Sequence, residues 1–246
     1  GMFALGLIPS GSKDPFALRR QANGIVKTIA EHGLTLAIDM IFIDARAGYR
    51  GSEAEKKFVE DKSTDTSDFY CRLSDFFRER LEFYMREALG FAYDVTNAVL
   101  AAGFGDIVDA VSRAQSLAGV RGSEDFESIG IAFKRIKNIL RQARESGKSI
   151  AAAFDPAKVT DEAERGLAEA MNKTAPRVRE LAAKRDYSAA LAEIATIRPA
   201  VDTFFDKVMV MVEDEGVRAN RLALLQSLLN EFSTIADFSE IVTEKK

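Results

Sequence analysis

Apolar residues recur every three to four positions along most of the chain, and no convincing run alternates every second residue. The pattern predicts helices and no sheet. The first helix is signposted by Asp14 as cap and Pro15 at its first position, and carries Phe16, Leu18, Ile25, Val26 and Ile29 up to Gly33. A second, from Leu34 to about Ala47, sets Leu34, Ile38, Ile41 and Ala45 on one side. Gly48 to Thr66 is polar and reads as turns around a short helix, with a domain boundary placed there. Ser67–Leu89 then carries an aromatic stripe of Phe69, Leu73, Phe76, Phe77, Leu81, Phe83 and Tyr84, read as a core face, and ends at Gly90. Tyr93–Ala102 and Asp106–Val120 follow, separated by Gly103-Phe104-Gly105.

The second half reads the same way. Glu124–Ser146 has a stripe of Ile129, Phe133, Ile136, Leu140 and Ala143. Asp161–Met171 and Arg177–Lys184 are expected as separate or kinked helices, because Pro176 lacks the donor a helix interior needs. Tyr187–Ile197 turns Leu191 and Ile194 inward. After Pro199, a helix groups Val201, Phe204, Phe205, Val208, Met211 and Val212, until Glu213 to Gly216 break the pattern. The last helix points Leu222, Leu225, Leu229 and Phe232 inward with Arg218 and Arg221 near its start, and Thr243 to Lys246 form a polar tail. The sum is an all-α protein, a bundle of about nine to eleven helices by this pattern counting.

Composition adds bounds. The chain has 246 residues, long enough for one large domain or two modest ones, with 47% hydrophobic and 29% charged content. A single cysteine, Cys71, excludes an intramolecular disulfide and fits a reducing, cytoplasmic setting. No apolar run approaches the roughly 20 residues that span a bilayer, so no membrane partner is expected. The opening FALGLIP lacks the basic start and cleavage site of a signal peptide, and reads as a cut from something longer.

The usual chemistries are absent: no Gly-rich loop ending in Lys-Ser or Lys-Thr, no CxxC pair, no HExxH and no GxSxG. The lone His32 sits near a helix end and reads as a capping or surface residue rather than a ligand. Asp39 and Asp44 are five apart, about 140° round a helix, which does not put both in one cleft. Glu213, Asp214 and Glu215 lack the spacing of a calcium loop and read as a solvated turn. Catalytic, metal and cofactor sites are therefore not expected.

Charge is more informative. The net charge of −4 excludes a general nucleic-acid sponge, yet residues 127–150 carry six Lys or Arg against two Asp or Glu. Residues 51–126, by contrast, carry nine against fifteen. In the basic segment Lys134, Lys137, Arg141 and Arg144 fall within about 80° of one another on a helix, and Arg135 points elsewhere. Periodicity alone favours a solvated face, with a ridge for phosphate contacts as the other reading. A second group, Arg177, Arg179, Lys184 and Arg185, is interrupted by Glu180 and Asp186.

Several passages resemble a known family. GSKDPFALRRQANGI, FRERLEFYMRE with YDVTNAVLAAG, AFKRIKNIL, and FFDKVMVM followed by RANRLALL are similar to the C-terminal part of the β subunit of bacterial glycyl-tRNA synthetases. The resemblance covers essentially the whole chain. It implies the end of an HD-type helical domain over residues 1–62, a connecting helical region over 63–123, and a DALR-type anticodon-binding bundle over 124–246. It implies tRNA-Gly as partner, no DNA, and an α2β2 enzyme whose α subunit holds glycine, ATP and Mg, leaving no catalytic site here. It also tips the reading of Lys134, Lys137, Arg141 and Arg144 toward phosphate contact, with Arg218, Asn220 and Arg221 presenting further donors from a helix start. Two other classes stand beside it. One is a helical protein-interaction scaffold without nucleic-acid binding; the other, a remnant HD-type hydrolase, is disfavoured by the single histidine.

Overall fold

The computed structural model describes all residues except 1, 4–6, 12, 54, 57–65 and 243–246. The described residues are all-α, with no strand among them. They gather into two compact units, residues 1–91 with 103–111, and residues 92–102 with 112–246. The expected short helix between Gly48 and Thr66 lies partly outside the described residues, and the polar tail from Thr243 lies wholly outside.

The first unit holds α1 (Leu18–Glu31), α2 (Ile38–Ala47) and α3 (Thr66–Phe83). Asp14 does cap a helix, but one starting later than expected: its carboxylate accepts from the backbone N–H of Leu18 (2.8 Å) and Arg19 (3.2 Å). Phe16 and Ala17 have φ of +71° and +53°, so the turn at Pro15 cannot continue into α1. α1 ends at His32, where Gly33 takes φ +61°. α2 likewise begins at Ile38, not Leu34, and Leu34 is left exposed. From the aromatic stripe of α3, Phe69, Phe77 and Leu81 are buried and Phe83 is exposed. A π-turn over Tyr84–Ala88 closes it before Gly90, at φ +72°.

α5 (Ile107–Val120) begins in the first unit and ends in the second. The second unit is built from α4 (Tyr93–Ala101), α6 (Glu124–Glu145), α7 (Glu162–Ala183), α8 (Tyr187–Ala195), α9 (Arg198–Lys207), α10 (Glu215–Phe232) and a 3₁₀ turn, Phe238–Glu240. Its core includes four fully buried rings, Phe133, Phe204, Phe232 and Phe238, of which Phe133 and Phe238 meet edge-on. Burying each such side chain contributes roughly 1.5–3 kcal/mol to the bundle.

Three expectations are corrected here. α7 runs unbroken through Pro176. Pro176 and Asn172 are both exposed, so the Asn172 carbonyl that loses its N–H partner meets water, and packing against α8, α9 and α10 holds the rest. α9 stops at Lys207, and Val208 is extended, with φ −108° and ψ 118°. From there burial alternates, Val208 and Val210 inside and Met209 and Met211 outside. Finally, α10 is buried nearly all round, as a helix at the centre of a bundle must be.

Candidate nucleic-acid interface

α6 is an amphipathic helix with three acids in its first turn, which suit the positive end of its dipole. Its stripe of Ile129, Phe133, Ile136, Leu140 and Ala143 is buried as the spacing predicts. The opposite face is solvated and carries Ile131, 57% exposed, with Lys134, Asn138 and Arg141. Lys134 makes no hydrogen bond or ion pair with a described residue. Arg141 donates to Asn138 Oδ1 at 3.3 Å and lies 3.8 Å from Glu145, an exposed i,i+4 pair. Such a pair is worth about 0.3–0.5 kcal/mol, too little to keep Arg141 from a stronger anion.

The other two cations of the strip stand at its flank and are already engaged. Lys137 Nζ is 2.5 Å from Asp237 Oδ2, donates to Ser239 Oγ at 3.1 Å, and lies 3.7 Å from Glu240. Burial pushes the Asp237 carboxyl up, but the bonds from Lys137 and Ser239 outweigh it and hold the group below its ordinary value. Arg144 donates to Gln226 Oε1 on α10 at 2.5 Å. Arg135, off the strip, sits with its guanidinium 4.1 Å from the Phe205 ring centre on α9. Of the four predicted cations, then, Lys134 faces solvent without a described partner, and Arg141 is held only by weak contacts on its own helix. Lys137 and Arg144 are exposed while bonded to residues outside α6.

Arg218, Asn220 and Arg221 are placed differently from the expectation that they present donors outward. All three are buried. Arg218 Nη1 donates to the carbonyls of Val212 (2.8 Å) and Glu213 (3.0 Å). Arg221 donates through Nη1 to the Met209 carbonyl (2.7 Å) and through Nε and Nη2 to Glu164 Oε1 (2.8 and 2.6 Å). Asn220 accepts from the Asp155 N–H (2.8 Å) and donates to the Asp155 carbonyl (3.0 Å). Their donors close the two irregular connections, 146–161 and 208–214, that carbonyls would otherwise leave unsatisfied. The physical reason is that, after its exposed first residues Glu215 and Gly216, α10 has no exposed residue from Arg218 to Leu225, so polar residues there must find partners inside.

The reading from sequence missed two parts of this surface. Ile131 and Asn138 share the solvated face, and their positions 3 before and 4 after Lys134 were the available signal. The segment 235–242 was missed altogether. Arg113 Nη1 donates to its Ile235 carbonyl, Asp237 N–H to the Ala98 carbonyl, and Val242 N–H to Asp94. Phe238 stacks edge-on against Phe133, ring centres 5.3 Å apart. The hint was Gly130 within an apolar stripe: a Cβ there would meet the Phe238 carbonyl at 3.3 Å. No helix among the described residues is long and apolar enough to cross a membrane.

Residues 129–241 match the family model of the DALR anticodon binding domain. With the helical bundle described, this defines the second unit as carrying an anticodon-binding domain of DALR type. Residues 1–101 match the model of the glycyl-tRNA synthetase beta subunit. The chain is 55% identical over 245 residues to the glycine–tRNA ligase beta subunit of Acidobacterium capsulatum, covering 98% of this chain and 33% of that protein. It is 40% identical over 241 residues to that of Geotalea uraniireducens and 41% identical over 241 residues to that of Geobacter metallireducens, with the same coverage of 98% and 33%. The chain thus spans about a third of the length of the curated relatives it matches. It belongs to the glycyl-tRNA synthetase beta-subunit family and corresponds to the C-terminal part of that subunit.

Proposed function

We propose that the second unit grips the anticodon stem and loop of a tRNA, tRNA-Gly, in the cytoplasm, so that an α subunit can attach glycine with ATP and Mg. The contact surface is the outward face of α6. Lys134 and Arg141 are its phosphate ligands, Asn138 offers an amide between them, and Lys137 and Arg144 stand at the edge. Arg218, Asn220 and Arg221 act at one remove, by holding the connections 146–161 and 208–214 in shape. This chain supplies binding and not bond chemistry. The observation that carries the reading is Lys134: fully available, without an internal partner among the described residues, on a helix inside a region matching an anticodon-binding family.

A salt-series titration of the intact chain with tRNA-Gly, beside a tRNA of another anticodon, tests it. Tighter binding to tRNA-Gly that weakens as salt rises supports the reading, because phosphate neutralisation releases counterions. Equal and weak binding to both would place specificity outside this surface. Absence of binding at low salt would favour the interaction-scaffold reading, for which the exposed Met40 and Ile43 on α2 are the specific observation.

A further inference from the structure

The segment 235–242 does more than close the bundle. Four anchors hold it: Arg113 on the Ile235 carbonyl, Ala98 on the Asp237 N–H, the buried Phe238 ring, and Asp94 on the Val242 N–H. Gly130 lets the backbone at Phe238 lie directly against α6. This rigid strap delivers one carboxylate, Asp237, to one cation of the ridge, and sets Glu240 behind it. Asp237 Oδ1 is spent on the Ser239 N–H and hydroxyl, at 3.1 and 2.6 Å, so the carboxylate cannot swing away while the turn is intact. Only Oδ2 faces Lys137. By contrast, the acid beside Arg141 is Glu145, on an exposed side chain of the same helix with nothing else to fix it.

Resting on the proposed RNA contact at α6, we propose that Asp237 is a specificity-determining residue: it acts as a built-in counter-anion that withdraws Lys137 from phosphate binding. The ridge then meets RNA with a phosphate-ligand pair at Lys134 and Arg141, seven residues or two helical turns apart, instead of an unbroken basic strip. A phosphate at the Lys137 position would have to face a fixed carboxylate. Backbones that place phosphates along the whole strip are disfavoured, and generic affinity for polyanions is kept low.

The test is the salt slope of tRNA binding by the intact chain and its variants. Asp237→Asn keeps an oxygen for the Ser239 N–H while removing the charge. It is expected to steepen the slope by about one phosphate equivalent, and to raise affinity for the non-cognate tRNA more than for tRNA-Gly. In a Lys137→Gln background, with no cation left to release, the same change is expected to leave the slope unchanged. Lys137→Gln alone, which leaves the strap in place, is expected to leave the slope unchanged, whereas Lys134→Gln lowers it by about one. A drop in slope for Lys137→Gln matching that of Lys134→Gln overturns the inference and leaves the RNA reading standing. So does an Asp237→Asn variant whose slope and selectivity equal those of the unaltered chain. Failure of every variant to bind RNA overturns both.

Discussion

On α6, Lys134 and Arg141 stand in solvent above a buried stripe; on α10, Arg218 and Arg221 are 8% exposed and give their donors to carbonyls and a carboxylate of the same unit. Both helices carry basic residues a turn or two apart. What separates them is the rest of the helix. α6 has one apolar side, so its cations have water to point into. α10 has Leu222, Ala223, Leu224, Leu225 and Leu228 buried on successive sides, so its cations are carried inward with the backbone. An arginine inside needs hydrogen-bond acceptors in place of water. The carbonyls of 209, 212 and 213 and the Glu164 carboxylate supply them, although the buried Nε of Arg218 is left without one among the described residues. Charge alone does not mark a candidate binding surface; the helix must also have a solvated side on which to present it.

The comparison is broken most forcefully at Arg221. Replacing it with Ala leaves Glu164, which is 0% exposed, without its partner, and losing one member of a buried pair costs about 3–5 kcal/mol. The midpoint of chemical denaturation is expected to fall accordingly. A midpoint within error of the parent would show that Arg221 is not structural.

On the other helix the same kind of change should act on RNA and not on stability. Lys134→Glu with Arg141→Glu is expected to lower the salt slope of tRNA binding by about two, while stability stays within roughly 0.5 kcal/mol. A large loss of stability would erase the contrast between the helices. Arg135→Ala sharpens it further, since Arg135 belongs to α6 yet lies over Phe205 rather than on the ridge. It is expected to cost about 0.5–1 kcal/mol in denaturation and to leave the slope unchanged.

Much of this was legible. The α6 stripe and the direction of its cations follow from a 3.6-residue period acting on Ile129, Phe133, Ile136 and Leu140. The start of α10 was not, because a helix apolar on most sides gives no dominant face from which to tell that Arg218 and Arg221 turn inward. Val208 to Val212 fits a helix or an extended run equally well. The choice is made by tertiary bonds from Arg218 and Arg221, which local spacing does not contain. Pro176 looked like a break, yet α7 has a solvated side at that point and neighbours enough to carry it through. The strap at 235–242 is too short for a periodic signal, and its effect on Lys137 depends on a contact across 100 positions of sequence.

The most direct measurement is amine-reactive footprinting of the intact chain, free and bound to tRNA-Gly, read by mass spectrometry at single lysines. The account predicts that Lys134 reacts readily in the free chain and is protected in the complex, with Lys137 changing little in either state. Lys134 remaining as reactive in the complex as in the free chain would contradict the claim that the wet face of α6 is where the RNA sits.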